Sequence, residues 1–497
     1  MRRSPGLMLA MMGLLAGCSL QRDYRTPTLA GAMPWSVPQA ANGSASPGQW
    51  WLVLGDPAID ALIDSSVRDN PTLAQAVAKM DEARANVTVN RADELPSLTA
   101  TASGTESYSK SSGGGNGIGG GAAIATTGQI PGYSRISQVE PSLSWELDLF
   151  GRIRSSVTEA KETLNARTAD AASTRLSLGI DIANGVIDLR GCNYTAQVDG
   201  ETVDSYKNTL NVVHRKNVAG FSSPVDESSA ARDVATSGNT LATQQETCAE
   251  DMNALVALTG RDKAAIAALL AQPLPMVAGD ETARFIPQPP QATPRLPATV
   301  LLRHPSIISA DRDAAAAWAE IGVYKADRYP RIDLDAALTG EWLTFAGSTI
   351  SSSGWSLGPT ITGTLFDAGK AAANVDAAEA RYRQSAANLQ ETVRTIVKEV
   401  ENALARQHSA SLRIQLSRQS VQAAAISLKG AEAQWKAGTN SLLDLEDARR
   451  QYATAQDNLI NAAHDRTEAW TALVSATANS LTLSQSEPHG NNIEPAR

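Results

Sequence analysis

The chain has 497 residues, with 43 Lys and Arg against 52 Asp and Glu, a formal net charge of -9, and only 5% aromatic residues. Wholesale nucleic-acid binding is excluded, because no basic stripe is available to neutralise phosphates. So few aromatics make a large enzyme core a poor fit, whereas the Ala, Ser, Thr, Gln and Asn of the long central segments suit helices whose backbones approach closely.

Arg2 and Arg3 precede an apolar run from Leu7 to Ala16, which closes on Leu15-Ala16-Gly17-Cys18. A positive start, a short apolar core and small residues at the cut predict a signal peptide over 1–17, too short to remain as a membrane helix. The closing residues resemble the bacterial lipobox, which implies lipid on Cys18 and a lipid-anchored extension over 18–55. Ser19, standing where an aspartate would hold a lipoprotein back, implies travel to the outer membrane. No later apolar run is long enough to cross a bilayer as a helix, so any crossing must use strands.

An internal repeat organises the remainder of the chain. Asn70-Pro71 is echoed by His304-Pro305, Leu95-Pro96-Ser97-Leu98 by Tyr329-Pro330-Arg331-Ile332, Leu149-Phe150-Gly151-Arg152 by the run Leu365 to Lys370, and Lys216 to Gly220 by Trp435 to Gly438. The copies are expected over 56–297 and 298–479, followed by a flexible tail over 480–497. A helix opens each copy, over 57–94 and 298–328, ended by the proline turns near 95 and 329. Strands are predicted over 97–108 and 137–149, and over 331–343 and 355–366. Leu143, Trp145, Leu147 and Leu149 alternate with Ser144, Glu146 and Asp148, the period of a wall with one face to lipid and one to water.

Between the paired strands lie a glycine-rich stretch, 113–121, and a shorter loop near 347–354. The glycines lack nucleotide-binding spacing and a capped helix after them, so a mobile loop is the better reading. The stretches 154–216 and 370–436 contain no proline and predict rods of roughly 90 to 100 Å. After Gly220 and Gly438 a return helix follows, giving hairpins over 154–259 and 370–479 with a linker over 260–297. Leu442, Leu445, Ala448, Tyr452, Ala455 and Leu459 keep the spacing of a coiled-coil seam.

Four strands cannot close a membrane barrel, since the smallest have eight, and an open sheet would leave backbone groups unpaired in hydrocarbon. The chain must therefore share a barrel with copies of itself; a dimer would give eight strands, too narrow for a duct, and a trimer twelve with room for a lumen. The expected fold is a mixed α/β membrane protein, a trimeric twelve-stranded β-barrel continued by a long α-helical coiled-coil tunnel.

This pattern resembles the outer-membrane efflux protein family, the TolC-like exit ducts, in its lipoprotein branch. The resemblance rests on Trp50-Trp51 with Asp56-Pro57, on Leu143 to Arg152, and on Trp435-Lys436-Ala437-Gly438 through Leu442 to Ala448. It implies a homotrimer in outer-membrane lipid, passively conducting substrates received through a periplasmic adaptor protein from an inner-membrane pump, of RND type in this branch. Within the family, aspartates at the second tip line the periplasmic aperture; the match carries that role to Asp444 and Asp447, with Asp226 as the first-repeat equivalent. Helix N-terminal stabilisation is the plainer reading of all three. Trp435 stands where the family has tyrosine, and Ala476-Thr477-Ala478-Asn479 replaces a glycine-rich helix end. A type I secretion duct and a structural envelope lipoprotein with coiled-coil arms remain as alternatives.

No catalytic motif or cofactor signature is present. The five histidines occupy separate segments without metal-ligand spacing, so no metal site is expected. Cys192 and Cys248 lie equally far before and after Gly220, at one height in an antiparallel hairpin. A bridge between them and a pair of free thiols both fit that spacing.

Overall fold

The computed structural model describes residues 23–27, 49–109, 132–275, 281–290, 303–345 and 347–478. The expected signal peptide, Cys18, the glycine-rich stretch 113–121 and the tail 480–497 lie outside them. In chain order the main elements are α1 (Pro57–Asp69), α2 (Pro71–Ala92), β1 (Ser97–Ser109), β2 (Gly132–Glu146), α3 (Arg152–Val218), α4 (Pro224–Thr259), α5 (Lys263–Leu270), α6 (Pro305–Ala326), β3 (Arg331–Phe345), β4 (Ser348–Thr362), α7 (Lys370–Lys436) and α8 (Leu442–Thr477). The fold is mostly helical, with one small unclosed sheet. The described residues fall into two compact units, one drawn from 23–27, 81–165 and 312–386, the other from 49–80, 166–311 and 387–478.

The first unit carries the sheet. Its four strands pair antiparallel in the order β1-β2-β3-β4, so the two halves of the chain meet where β2 pairs with β3, and among the described residues the outer sides of β1 and β4 are open. β4 starts at Ser348, in the stretch expected as a loop, because β3 and β4 are joined by a tight turn at Gly347, whose φ of 81° favours glycine. Ser351, Ser352 and Ser353 hid this strand: they show no alternation, yet pair with Trp342, Glu341 and Gly340.

The second unit holds the main apolar core. Trp50, Ile59, Leu62, Ile63, Ile182, Val186, Ile187, Leu255, Ile266, Ile286, Ile460 and Trp470 are all buried in one cluster. Gly185 lets α3 and α4 close up here, since a Cβ would meet Leu255 Cδ2 at 2.8 Å. The expected single helix over 57–94 is instead two, because Pro71 cannot continue the hydrogen-bond ladder. Asn70 closes the break: its Oδ1 accepts from the N–H groups of Thr72 and Leu73, and its Nδ2 donates to the Leu258 carbonyl at 2.9 Å. His304 serves the same way before α6, accepting from Ser306 N–H at Nδ1 and meeting the Ser475 carbonyl at Nε2. Of the expected helix over 298–328, residues 298–302 lie outside the described residues and the remainder is observed as Pro305–Ala326; the expected linker contains α5.

Asp56 fastens the start of this unit. It caps α1 by accepting from Ala58 N–H at 2.9 Å, and it is also held in a bidentate pair by Arg190 of α3, at 2.6 and 2.9 Å. Arg190 donates further to the Leu270 carbonyl of α5. Both side chains are almost wholly out of water, so removing one partner leaves a buried, unpaired charge. Asp56→Ala is expected to destabilise the folded chain by about 3–5 kcal/mol, seen as a lower midpoint in thermal unfolding followed by helical circular dichroism. An unchanged midpoint would show that the pair does not hold the unit together.

Candidate functional site: the sheet faces and the hairpin tips

Register sorts the sheet side chains into two faces of opposite character. Leu98, Leu143, Ala336 and Leu357 form one row across all four strands. Val139, Leu338, Trp355 and Ile361 point the same way, and Leu98, Trp355, Leu357 and Ile361 are 63–79% exposed. The row one residue along is Thr99, Ser142, Ala337 and Ser356, on the opposite face. Thr99 and Ser142 hydrogen-bond there at 2.9 Å, and Asp335 accepts from Ser144 and Thr360. One face is thus apolar and uncovered, the other polar and internally hydrogen-bonded, as in a wall between lipid and water. At 13 to 15 residues the strands exceed the 9–11 that a tilted strand needs to cross a bilayer.

The turns from strand to long helix are built from short-range contacts in the first unit. Glu146 takes both guanidinium bonds of Arg152, at 2.9 and 2.6 Å, while Trp145 Nε1 donates to the Glu94 carbonyl at the end of α2. Phe150 stacks on Tyr329 with ring centroids 4.7 Å apart. The second copy uses Asp367, which accepts from the N–H groups of Gly369 and Ala371. Its Leu365 and Phe366 are 102% and 88% exposed, and neither packs as Phe150 does.

The two hairpin tips in the second unit are built alike. Gly220 and Gly438 have φ values of 78° and 72°. Phe221 N–H reaches back to the Lys216 carbonyl at 2.7 Å, and Thr439 N–H to that of Gln434 at 3.0 Å, the closing bond of a Schellman turn. Each return helix then opens with a capping box, Ser223 with Asp226 and Ser441 with Asp444. Asp226 and Asp444 are therefore held as capping groups. Asp447 is paired with Arg450 and accepts from Gln451 Nε2 at 2.6 Å. Trp435 is half-buried, and the Lys216 ammonium lies 5.6 Å from its ring centroid, joining one tip to the other.

Cross-links that no sequence spacing revealed lie just behind the tips. Glu446 on α8 accepts from Thr209 Oγ1 of α3 at 2.7 Å, and Arg449 donates to both. Further along, Cys192 and Cys248 are joined in a disulfide, Cα atoms 5.5 Å apart, linking α3 to α4. The histidines are not all isolated: His464 of α8 meets Asp188 of α3 at 2.6 Å and lies near Glu468. The sequence could not show this, because Asp188 belongs to the other half of the chain.

A sheet with one lipid-type and one water-type face, in a chain that also forms two long helical hairpins, defines a membrane channel component that spans with strands. The chain matches the family described as outer membrane efflux protein over residues 62–261 and 296–479. It is 30% identical to the toluene efflux pump outer membrane protein TtgC of Pseudomonas putida over 457 residues, covering 90% of this chain and 89% of that one. Similarity to the antibiotic efflux pump outer membrane protein ArpC of Pseudomonas putida is also 30%, over 90% and 89% of the two chains. The solved outer-membrane channel OprN superposes with a TM-score of 0.79 at 24% identity, over 93% and 99% of the chains. The chain belongs to the outer membrane efflux protein family of TolC-like ducts. It functions as the outer-membrane channel component of a tripartite efflux system and is not an enzyme.

The caps give the tips a defined pH response. The Ser223 N–H, and then the Ser223 and Ser222 hydroxyls, hold the Asp226 carboxyl below the usual aspartate range. Its folded-state pKa being depressed, the cap's contribution is present above the unfolded value and lost as pH falls through the folded one. Hydrogen-exchange protection at the first amides of α4, taken relative to the intrinsic rate at each pH, should therefore fall on acidification, and Asp226→Asn should remove that pH dependence. Protection unchanged by acid in the parent would contradict the capping role.

Proposed function

We propose that three copies of the chain close one twelve-stranded barrel, β4 of each pairing with β1 of the next, and that the helical hairpins continue it as a periplasmic tunnel. The observation that carries this reading is the uncovered apolar face of a sheet whose two edge strands have open sides. The two separate family matches, over 62–261 and 296–479, support an origin by duplication of one unit. Small organic molecules are the proposed cargo, because the similar proteins named for a role serve toluene and antibiotic efflux. The proposed partners are a periplasmic adaptor and an inner-membrane pump of RND type, which supply selection and energy; the duct itself is passive.

Asp444, Asp447 and Asp226, with Trp435, form the proposed periplasmic gate around the tips Gly220 and Gly438. Three copies of each carboxylate would gather in one throat, attracting cations and holding the aperture narrow. The Lys216–Trp435 contact and the Thr209–Glu446–Arg449 link favour a gate in which the second hairpin is latched to the first within each copy. In planar bilayers the parent is expected to show small conductance steps blocked by trivalent cations, and Asp444→Ala with Asp447→Ala to show larger steps with weaker block. Identical conductance and block in the two proteins would sink the gate, and a total absence of conductance the duct.

Cys18 is the proposed lipidation site, starting the mature chain in outer-membrane lipid. Cys18→Ser is expected to lose incorporation of labelled palmitate, and undiminished labelling would refute the assignment.

A further inference from the structure

The second unit brings a mixed nitrogen and oxygen donor set together away from the tips. His464 and Glu468 are four apart on α8, so they share one helix face. Asp188 reaches them from α3, its Oδ1 2.6 Å from His464 Nε2. Glu468 lies 3.8 Å from His464 Nδ1, and one donor atom from each of the three residues lies within 4.8 Å of the other two. All three side chains are partly buried. We propose that Asp188, His464 and Glu468 form a binding site for a divalent transition-metal ion, which clips the return helix of the second hairpin to the long helix of the first.

Charge argues for a cation here. Asp188, Asp465 and Glu468 surround His464, and Asp251 of α4 adds a further carboxylate. Arg413 of α7 is engaged by Asp465 at 2.6 Å, and Arg406 of α7 acts on Glu468. Four carboxylates against these two guanidinium groups leave an excess of negative charge where the donors converge, which a divalent ion offsets.

Geometry and donor chemistry narrow the class of ion. Bonds of about 2.0–2.2 Å to imidazole and carboxylate put neighbouring ligand atoms roughly 3 to 3.5 Å apart, so donor atoms now within 4.8 Å of one another draw in around one ring nitrogen of His464, a movement that rotation of the long Glu468 side chain supplies. One imidazole and two carboxylates suit zinc, or manganese and its neighbours, and not the thiophilic copper(I). Gly191, one residue before the disulfide, lies against the same group, since a Cβ there would be in ordinary contact with His464 Cδ2 at 3.5 Å. The ion would thus join α8 to a first hairpin that Cys192–Cys248 has already fastened.

The test is calorimetric titration of the full-length detergent-solubilised protein, stripped with chelator, with zinc ion as the probe. One ion per chain is expected to bind and to raise the thermal unfolding midpoint. Affinity should fall roughly 10- to 100-fold or more in His464→Ala and in Glu468→Gln, and the midpoint shift should vanish with it. His408→Ala, which removes an exposed histidine of α7, should bind as the parent does. Glu468→Gln keeps the side-chain shape, so loss of binding in that variant with parental helix content cannot be ascribed to misfolding. Absence of binding by the parent, or parental affinity in either ligand variant, would overturn the site.

Discussion

A backbone N–H or C=O left unpaired in hydrocarbon costs several kcal/mol, and this chain places two open strand edges beside an apolar sheet face. β1 and β4 each have one neighbour, and nothing else in the described residues covers their outer sides. The face they border carries Leu98, Trp355, Leu357 and Ile361 in the open, so the same surface that asks for lipid forbids bare edges. Closure with further copies satisfies both demands. The polar face, with its Thr99–Ser142 and Asp335 hydrogen bonds, then turns to water.

The two halves of the chain share a plan but not their fastenings. Gly220 and Gly438 turn alike, and the Ser223 and Ser441 capping boxes restart their helices alike. The first hairpin adds a disulfide between α3 and α4, and the second has no cysteine at all. Asp56 and Arg190 add a second fastening on the first side, because that buried pair ties α1, α3 and α5. Near the tips, in contrast, the second hairpin reaches the first through exchangeable contacts, Glu446 to Thr209 and Lys216 to Trp435, whereas farther along Ile460 and Trp470 of α8 share the buried cluster with α3 and α4. The proposed gate draws on that contrast, since a covalent tie in both hairpins would leave neither tip free to move.

The features legible in the sequence were those that depend on short range. Alternation revealed β2 and β3, because each strand has one apolar face, and proline-free stretches between glycine turns revealed α3 and α7. The Cys192–Cys248 bond followed only in part: equal distance from Gly220 put the residues at one height, but their facing directions depend on how closely α3 and α4 pack, and Gly185 shows that closeness only in three dimensions. The start of β4 is not legible, because Ser351, Ser352 and Ser353 lack any alternation and take their strand form from β3. The helix over 57–94 was misjudged at Asn70, whose capping bonds were legible but whose tie to Leu258 was not. Glu446 with Thr209, and His464 with Asp188, escaped altogether, since each pair joins opposite halves of the chain.

The central claim is that β4 of one copy pairs with β1 of the next until three copies close. Cysteine substitution at Thr101 on β1, combined in turn with Ser352, Ser356 or Thr360 on β4, samples the register between copies on the polar face. After oxidation in the membrane and denaturing electrophoresis, the account predicts covalent species of two and three chains in at least one register and none larger. A ladder ending at two chains, one continuing past three, or no cross-link in any register would contradict it.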